Sequence, residues 1–115
     1  MDIVKKVYDT LVNAGITVPV QYGWYDKNIN DTHITYLIIL EVPEFESDDD
    51  IEMLCIHIQV DIWSKDDDIK LKRNVRSALR KADFIFTENK DDYEIDTKLY
   101  HKAMRFKILI DDTEE

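Results

Sequence analysis

The segment from Ile51 to Trp63 alternates with a period of two along its whole length. Leu54, Ile56, Ile58, Val60 and Ile62 fall on one face, and Cys55, His57, Gln59 and Asp61 on the other. Side chains that reverse sides at every residue belong to an extended strand. This one runs to about a dozen residues, against a usual five or six. Upstream, "THITYLIILEV" (Thr32 to Val42) is β-branched and almost wholly apolar at its centre. That composition predicts a strand covered on both faces, with Pro43 ending it. Strands 34–42 and 51–63, joined by an acidic stretch, read as one long antiparallel hairpin.

The flanking segments change period. Ile3, Val4, Val7, Tyr8 and Leu11 place an apolar stripe on a helix over residues 2–14, with Asp2 at its start and Gly15 at its stop. A second helix is expected over 66–82. Leu71, Val75, Ala78, Leu79 and Ala82 face the core, and Asp66, Asp67 and Asp68 sit in the first turn, where the helix dipole favours carboxylates. Asp66 with Lys70 and Asp68 with Lys72 are spaced to pair along it. "VPVQYGWYDK" is extended, Asp26 to Asp31 is loop, Phe84 to Glu88 is a strand, and Asn89 to Asp92 is a turn. In the strand 98–110, Lys102 falls on the apolar side, which suggests a bulge or an edge near His101. Residues 111–115 form an acidic tail expected to fray. The order gives an α+β fold: two helices packed on a mostly antiparallel β-sheet, in a single domain spanning 1–115.

Composition narrows the function classes. The 115 residues are 44% hydrophobic and 35% charged, which is too apolar for a disordered chain. A formal charge of −10, from 25 acids and 15 bases, repels nucleic-acid phosphates, so no sequence-specific nucleic-acid partner is expected. No apolar run approaches the roughly 18 residues of a membrane span. Nothing at the N-terminus resembles a signal peptide, and the single cysteine, Cys55, has no internal disulfide partner.

The chemistry-bearing residues are sparse. Asp48, Asp49 and Asp50 lack the alternation and the glycine of a calcium loop, and they read as a solvated turn. His33, His57 and His101 have no partner at zinc-binding spacing. Cys55 and His57 share a strand face, so a cysteine–histidine nucleophile is conceivable, but no third group or oxyanion loop accompanies them. Gly15 and Gly23 cannot build a phosphate loop. No enzymatic activity, cofactor or metal is expected. The outer face of the second helix carries Ile69, Arg73, Arg76 and Arg80, either a solvated face or a contact surface for an acidic partner.

Two stretches are informative together: "IQVDIWSK" (Ile58 to Lys65) and "YEIDTKLYHKAMRF" (Tyr93 to Phe106). A strand ending in the aromatic Trp63 leads into a basic-faced helix and then an F-x-F strand. The Tyr93, Asp96, Thr97, Tyr100, His101 series follows, before the last strand. This arrangement resembles the tail-completion proteins of long-tailed bacteriophages and prophages, over roughly Thr35 to Ile110. The family comprises tail terminators and tail-to-head joining proteins.

The resemblance implies a small α+β fold and a structural virion part without catalysis. Such a part sits in the virion tail, is assembled in the bacterial host cytoplasm, and forms a six-fold ring at the head-proximal end of the tail tube. Its partners would be copies of itself, the tail tube protein and the head–tail connector. Asp96 and Thr97 could equally form a hydrogen-bonded corner that turns the chain into its last strand. Six subunits at −10 each would bring a formal −60 together, so ring closure needs local complementarity. Segment 41–52, with seven carboxylates and no base, and the face Arg73, Arg76, Arg80 offer it. An adaptor that binds an acidic protein through helix 66–82 is the alternative, and a hydrolase built on Cys55 and His57 is a third reading.

Overall fold

The computed structural model describes residues 2–28, 31–45 and 52–111. Along the chain stand α1 (Ile3–Asn13), β1 (Val20–Tyr22), β2 (His33–Phe45), β3 (Glu52–Ser64), α2 (Ile69–Lys81), β4 (Ile85–Glu94) and β5 (Leu99–Asp111). The five strands form one sheet in the order β1-β2-β3-β5-β4, with β1 parallel to β2 and every other pair antiparallel. This is the expected α+β arrangement, including the β2–β3 hairpin. Thirteen-residue strands such as β3 reach roughly 43 Å at ~3.3 Å per residue, and the molecule is 51 Å long.

Both helices lie on one face of the sheet. α1 buries Ile3, Val7 and Leu11, and α2 buries Val75 and Leu79. They meet the even-numbered side of β3, Leu54 through Ile62, together with Met104, Phe106, Ile108 and Ile110 of β5. Asp2 caps α1 by accepting from the Lys5 N–H at 3.0 Å. Tyr36 ties β2 to α1, its hydroxyl donating to the Val4 carbonyl at 2.7 Å. Burial, reinforced by the nearby Asp2 carboxylate, pushes the Tyr36 phenol up to about 12.

Several expectations are corrected. α2 begins at Ile69, with Asp68 as its cap accepting from the Leu71 N–H at 2.9 Å. Asp66 and Asp67 therefore precede the helix, and they do not line its first turn. Lys72 reaches from α2 to β4 and pairs with Asp91 at 3.0 Å, in place of an i, i+4 partner. β4 runs straight through Asn89–Asp92, and the turn falls at residues 95–98. β4 is an outer strand with nearly every side chain exposed, so β5 can hold polar residues extended that by themselves favour a turn.

β5 is neither bulged at His101 nor an edge: it is paired on both sides, and the register shift lies opposite, between Phe86 and Glu88. Lys102 stays on the apolar face and is buried there, bonded to Asp67 and 3.5 Å from Asp91. The acidic tail begins one residue later than expected, because Asp111 ends β5; residues 112–115 lie outside the described residues.

β2 departs most from its reading. His33, Ile34, Thr35 and Tyr36 are buried, but Ile39, Leu40 and Val42 are exposed. β1 pairs only with Ile34–Tyr36, and the exposed side chains beyond it show that the later half of β2 is not covered on both faces. Pro43 does not end the strand, which continues to Phe45. Beyond Tyr36 the described residues give β2 a neighbour on one side only, and there a missing N–H costs no ladder bond.

Candidate functional site

The face opposite the helices carries the polar chemistry. Register aligns His33, Trp63 and His101 in one row, Thr35, Asp61 and Ala103 in the next, and Leu37, Gln59 and Arg105 in a third. Trp63 is fully buried without a helix above it. His101 stacks on its ring at 3.8 Å and 10°, and its indole N–H donates to Thr35 Oγ1 at 2.9 Å. Trp24 stands edge-on to Trp63 at 5.3 Å and to His101 at 5.7 Å, and Tyr25 lies 5.0 Å from Trp63. Gly23 makes this cover possible. Its φ of +125° is a conformation few side chains tolerate, and its N–H donates to the Tyr36 carbonyl at 2.8 Å as the chain leaves β1.

Asp61 is the most confined charge in this layer, with no exposed surface. Its Oδ1 lies 2.6 Å from His101 Nε2 and accepts from Gln59 Nε2 at 3.0 Å, while Oδ2 has no protein partner. A carboxylate out of water needs donors, and Gln59 Nε2 and His101 Nε2 both converge on Oδ1. The string continues outward at both ends. His101 Nδ1 lies 3.6 Å from Glu94, and Arg105 joins Gln59 at 3.1 Å and Glu88 at 3.1 Å.

Asp61 and His101 form the orienting half of a hydrolytic triad. No nucleophile completes it among the described residues. Thr35 is engaged with Trp63, and Cys55 lies six residues along β3, about 20 Å away. Cys55 does touch His57, with Sγ 3.6 Å from Nε2. Burial pushes its thiol pKa up, Glu44 adds to the shift, and Lys107 opposes it only in part. A nucleophilic cysteine requires the opposite shift. No group of three His, Cys, Asp or Glu side chains could hold a metal ion among the described residues, and no helix is long and apolar enough to cross a membrane.

The other residues singled out by sequence scatter. Asp48, Asp49 and Asp50 lie outside the described residues. On α2, Arg73 and Arg80 are exposed, with Ile69 beside them in sequence on the first turn; Arg76 is half-buried, its guanidinium 5.4 Å from the Phe86 ring centre. Asp96 and Thr97 occupy the β4–β5 turn, where Thr97 donates to Glu94 at 3.2 Å and Lys98, at φ +57°, donates its N–H to the Glu94 carbonyl at 2.8 Å. Tyr93 and Tyr100 pack together at 5.0 Å. Trp63 and His101 alone of that group join the buried cluster. Asp61, Trp24, Tyr25 and His33 went unrecognised by sequence reasoning. Period two does place Asp61 beside Trp63, but nothing in the sequence marks Trp24 as their cover.

No protein-family model matches this sequence, and no curated protein matches it. Its fold, however, is found among solved structures. A chain from a structure titled "Virion of native gene transfer agent (GTA) particle" superposes with a TM-score of 0.60 over 91% of each chain, at 12% identity. At that identity the likeness is one of fold: the α+β architecture described above is also the architecture of a component of that particle.

Proposed function

We propose that this chain is a structural, non-enzymatic protein of a phage-like virion, and specifically a tail terminator or tail-to-head joining protein. The observation that carries the reading is the end-to-end fold likeness to a chain of a gene transfer agent virion. The Tyr93–His101 series supports it independently. In this role six copies close a ring at the head-proximal end of the tail tube, stop its growth and present a surface to the head connector. The acidic charge suits a conduit through which DNA slides without adhering. The raised Cys55 pKa disfavours the thiolate that the hydrolase reading requires.

The test is negative-stain imaging of tail tubes assembled with and without this protein. A ring of density at one tube end, together with arrested tube length, is the expected result. Tubes of unchanged length with bare ends would refute the assignment. The isolated protein should be largely monomeric at low salt and should associate as ionic strength rises to about 0.1–0.3 M, where the Debye length is below roughly 10 Å and long-range repulsion fades first. The adaptor reading keeps one observation in its favour, the exposed Arg73 and Arg80 on α2. It predicts a stoichiometric complex between a monomer and an acidic protein, and no density on tubes.

A further inference from the structure

The outer edge of β2 is acceptor-rich and partly apolar. From Leu37 to Phe45 the described residues leave its backbone without a strand partner on that side. Ile39, Leu40 and Val42 are exposed along it, and Glu41 and Glu44 are exposed among them. Among the described residues no strand pairs with the backbone carbonyls there, which adds acceptors beside those carboxylates, and Pro43 has no N–H. The outward side of α2 has the opposite chemistry. Arg73, Arg80 and Lys81 are exposed there, with Ser77 between them. Arginine carries five donors and no acceptor. The edge of β4 is a poorer match, since its Glu88, Asp91 and Asp92 would set carboxylate against carboxylate.

We infer that the outer edge of β2 in one copy docks on the arginine face of α2 in the next copy. The inference rests on the reading of the chain as a ring-forming virion part. The two patches differ, so the contact is head-to-tail, and every copy keeps one of each for its two neighbours, as ring closure requires. Glu41, Glu44 and those backbone carbonyls accept from Arg73 and Arg80. Ile39, Leu40 and Val42 keep water from the pairs, which lets them persist at salt concentrations that screen long-range repulsion. Arg76 contributes less, because its guanidinium already lies over Phe86.

The test is a cross-link between copies in a Cys55→Ser background. One variant carries Val42→Cys and the other Ser77→Cys; both positions are partly or fully exposed, and neither removes a charge. Under mild oxidation the mixture should give about tenfold more disulfide dimer than either variant alone, a contact preference of about 1.4 kcal/mol. Adding Arg73→Glu and Arg80→Glu to the Ser77→Cys chain should abolish that excess. Adding Glu41→Lys and Glu44→Lys to the other chain should then restore it. No excess in the mixture, or an excess indifferent to charge reversal, overturns the inference. Tube capping by the Cys55→Ser protein, measured alongside, separates the causes: capping without the cross-link condemns this interface alone, whereas loss of both condemns the ring reading with it.

Discussion

Both faces of the sheet hold fully buried residues of β3, and they reach that burial by different means. On the helix side, Ile56, Ile58, Val60 and Ile62 of β3 disappear beneath α1 and α2. On the other side, Asp61 and Trp63 of the same strand are equally inaccessible with no helix over them. There the cover is made of rings, Trp24, Tyr25 and His101, and the interior is a string of hydrogen bonds. The apolar side is tolerant, since any set of side chains filling the volume will serve. The polar side is exacting, since each donor must find one acceptor at one register. The helix side should therefore dominate stability, and the open side should fix how β3 and β5 align.

The largest effect belongs to the helix side. Phe106 is fully buried between Met104 and Ile108, and Phe106→Ala should cost about 3–5 kcal/mol in urea unfolding, while Phe106→Leu should cost far less. Next comes Asp61→Ala, at about 3 kcal/mol, because it strands Gln59 and His101 without their shared acceptor. Here the conservative change, Asp61→Asn, should recover little, since a neutral amide oxygen is a weaker acceptor for Gln59 and His101 than the carboxylate they share. Equal rescue by Leu and by Asn would erase the distinction between a tolerant face and an exacting one.

That distinction also explains which parts of the fold could be read from sequence. Period-two and period-3.6 patterns report one element against one apolar layer, so α1, α2, the even face of β3 and the β2–β3 pairing were legible. What covers a residue from a distant segment leaves no local trace. The apolar centre of β2 looked buried throughout, yet only the half beside β1 is. "NKDD" looked like a turn, yet pairing with Met104 through His101 holds it extended. Lys102 looked like a defect in β5, and its partners Asp67 and Asp91 come from two other segments. The candidate site was less legible still, because Asp61 gains meaning only once β5 brings His101 beside it.

A smaller effect sharpens the account of the open face. Trp24 is 53% exposed and touches the cluster edge-on, so its area contributes less than its position over Trp63 and His101. Trp24→Ala should cost about 1 kcal/mol. It should also bring the Trp63 indole into contact with water, which a red shift in its fluorescence would report. A Trp63 spectrum unchanged in that variant would mean that Tyr25 and His101 alone form the cover.

The smallest effect tests the charged cluster around Lys102 on the helix side, and it is a pH dependence. Burial alone would raise the Asp91 pKa, but hydrogen bonds from Lys72 and Asn89, with the Lys102 charge, outweigh it and hold the carboxyl below its ordinary 3.8. A carboxyl depressed in the folded state stabilises the fold above its unfolded pKa, and that contribution is lost as pH falls through the folded value. Lys102 has the opposite sign. Burial would lower it, but Asp67 and Asp91 outweigh that and raise it above 10.5, so its contribution is full below that pH and is lost as pH climbs through the folded value. Asp91→Asn should therefore be slightly less stable than the parent at pH 6, by less than about 1 kcal/mol given the solvent around Asp91. The gap should close as pH drops below 3.8, measured as the urea midpoint of parent and variant across an acid series. A gap that stayed constant to pH 2 would show that the Asp91 charge does not stabilise the fold, leaving Asp67 as the carboxylate that answers the buried Lys102.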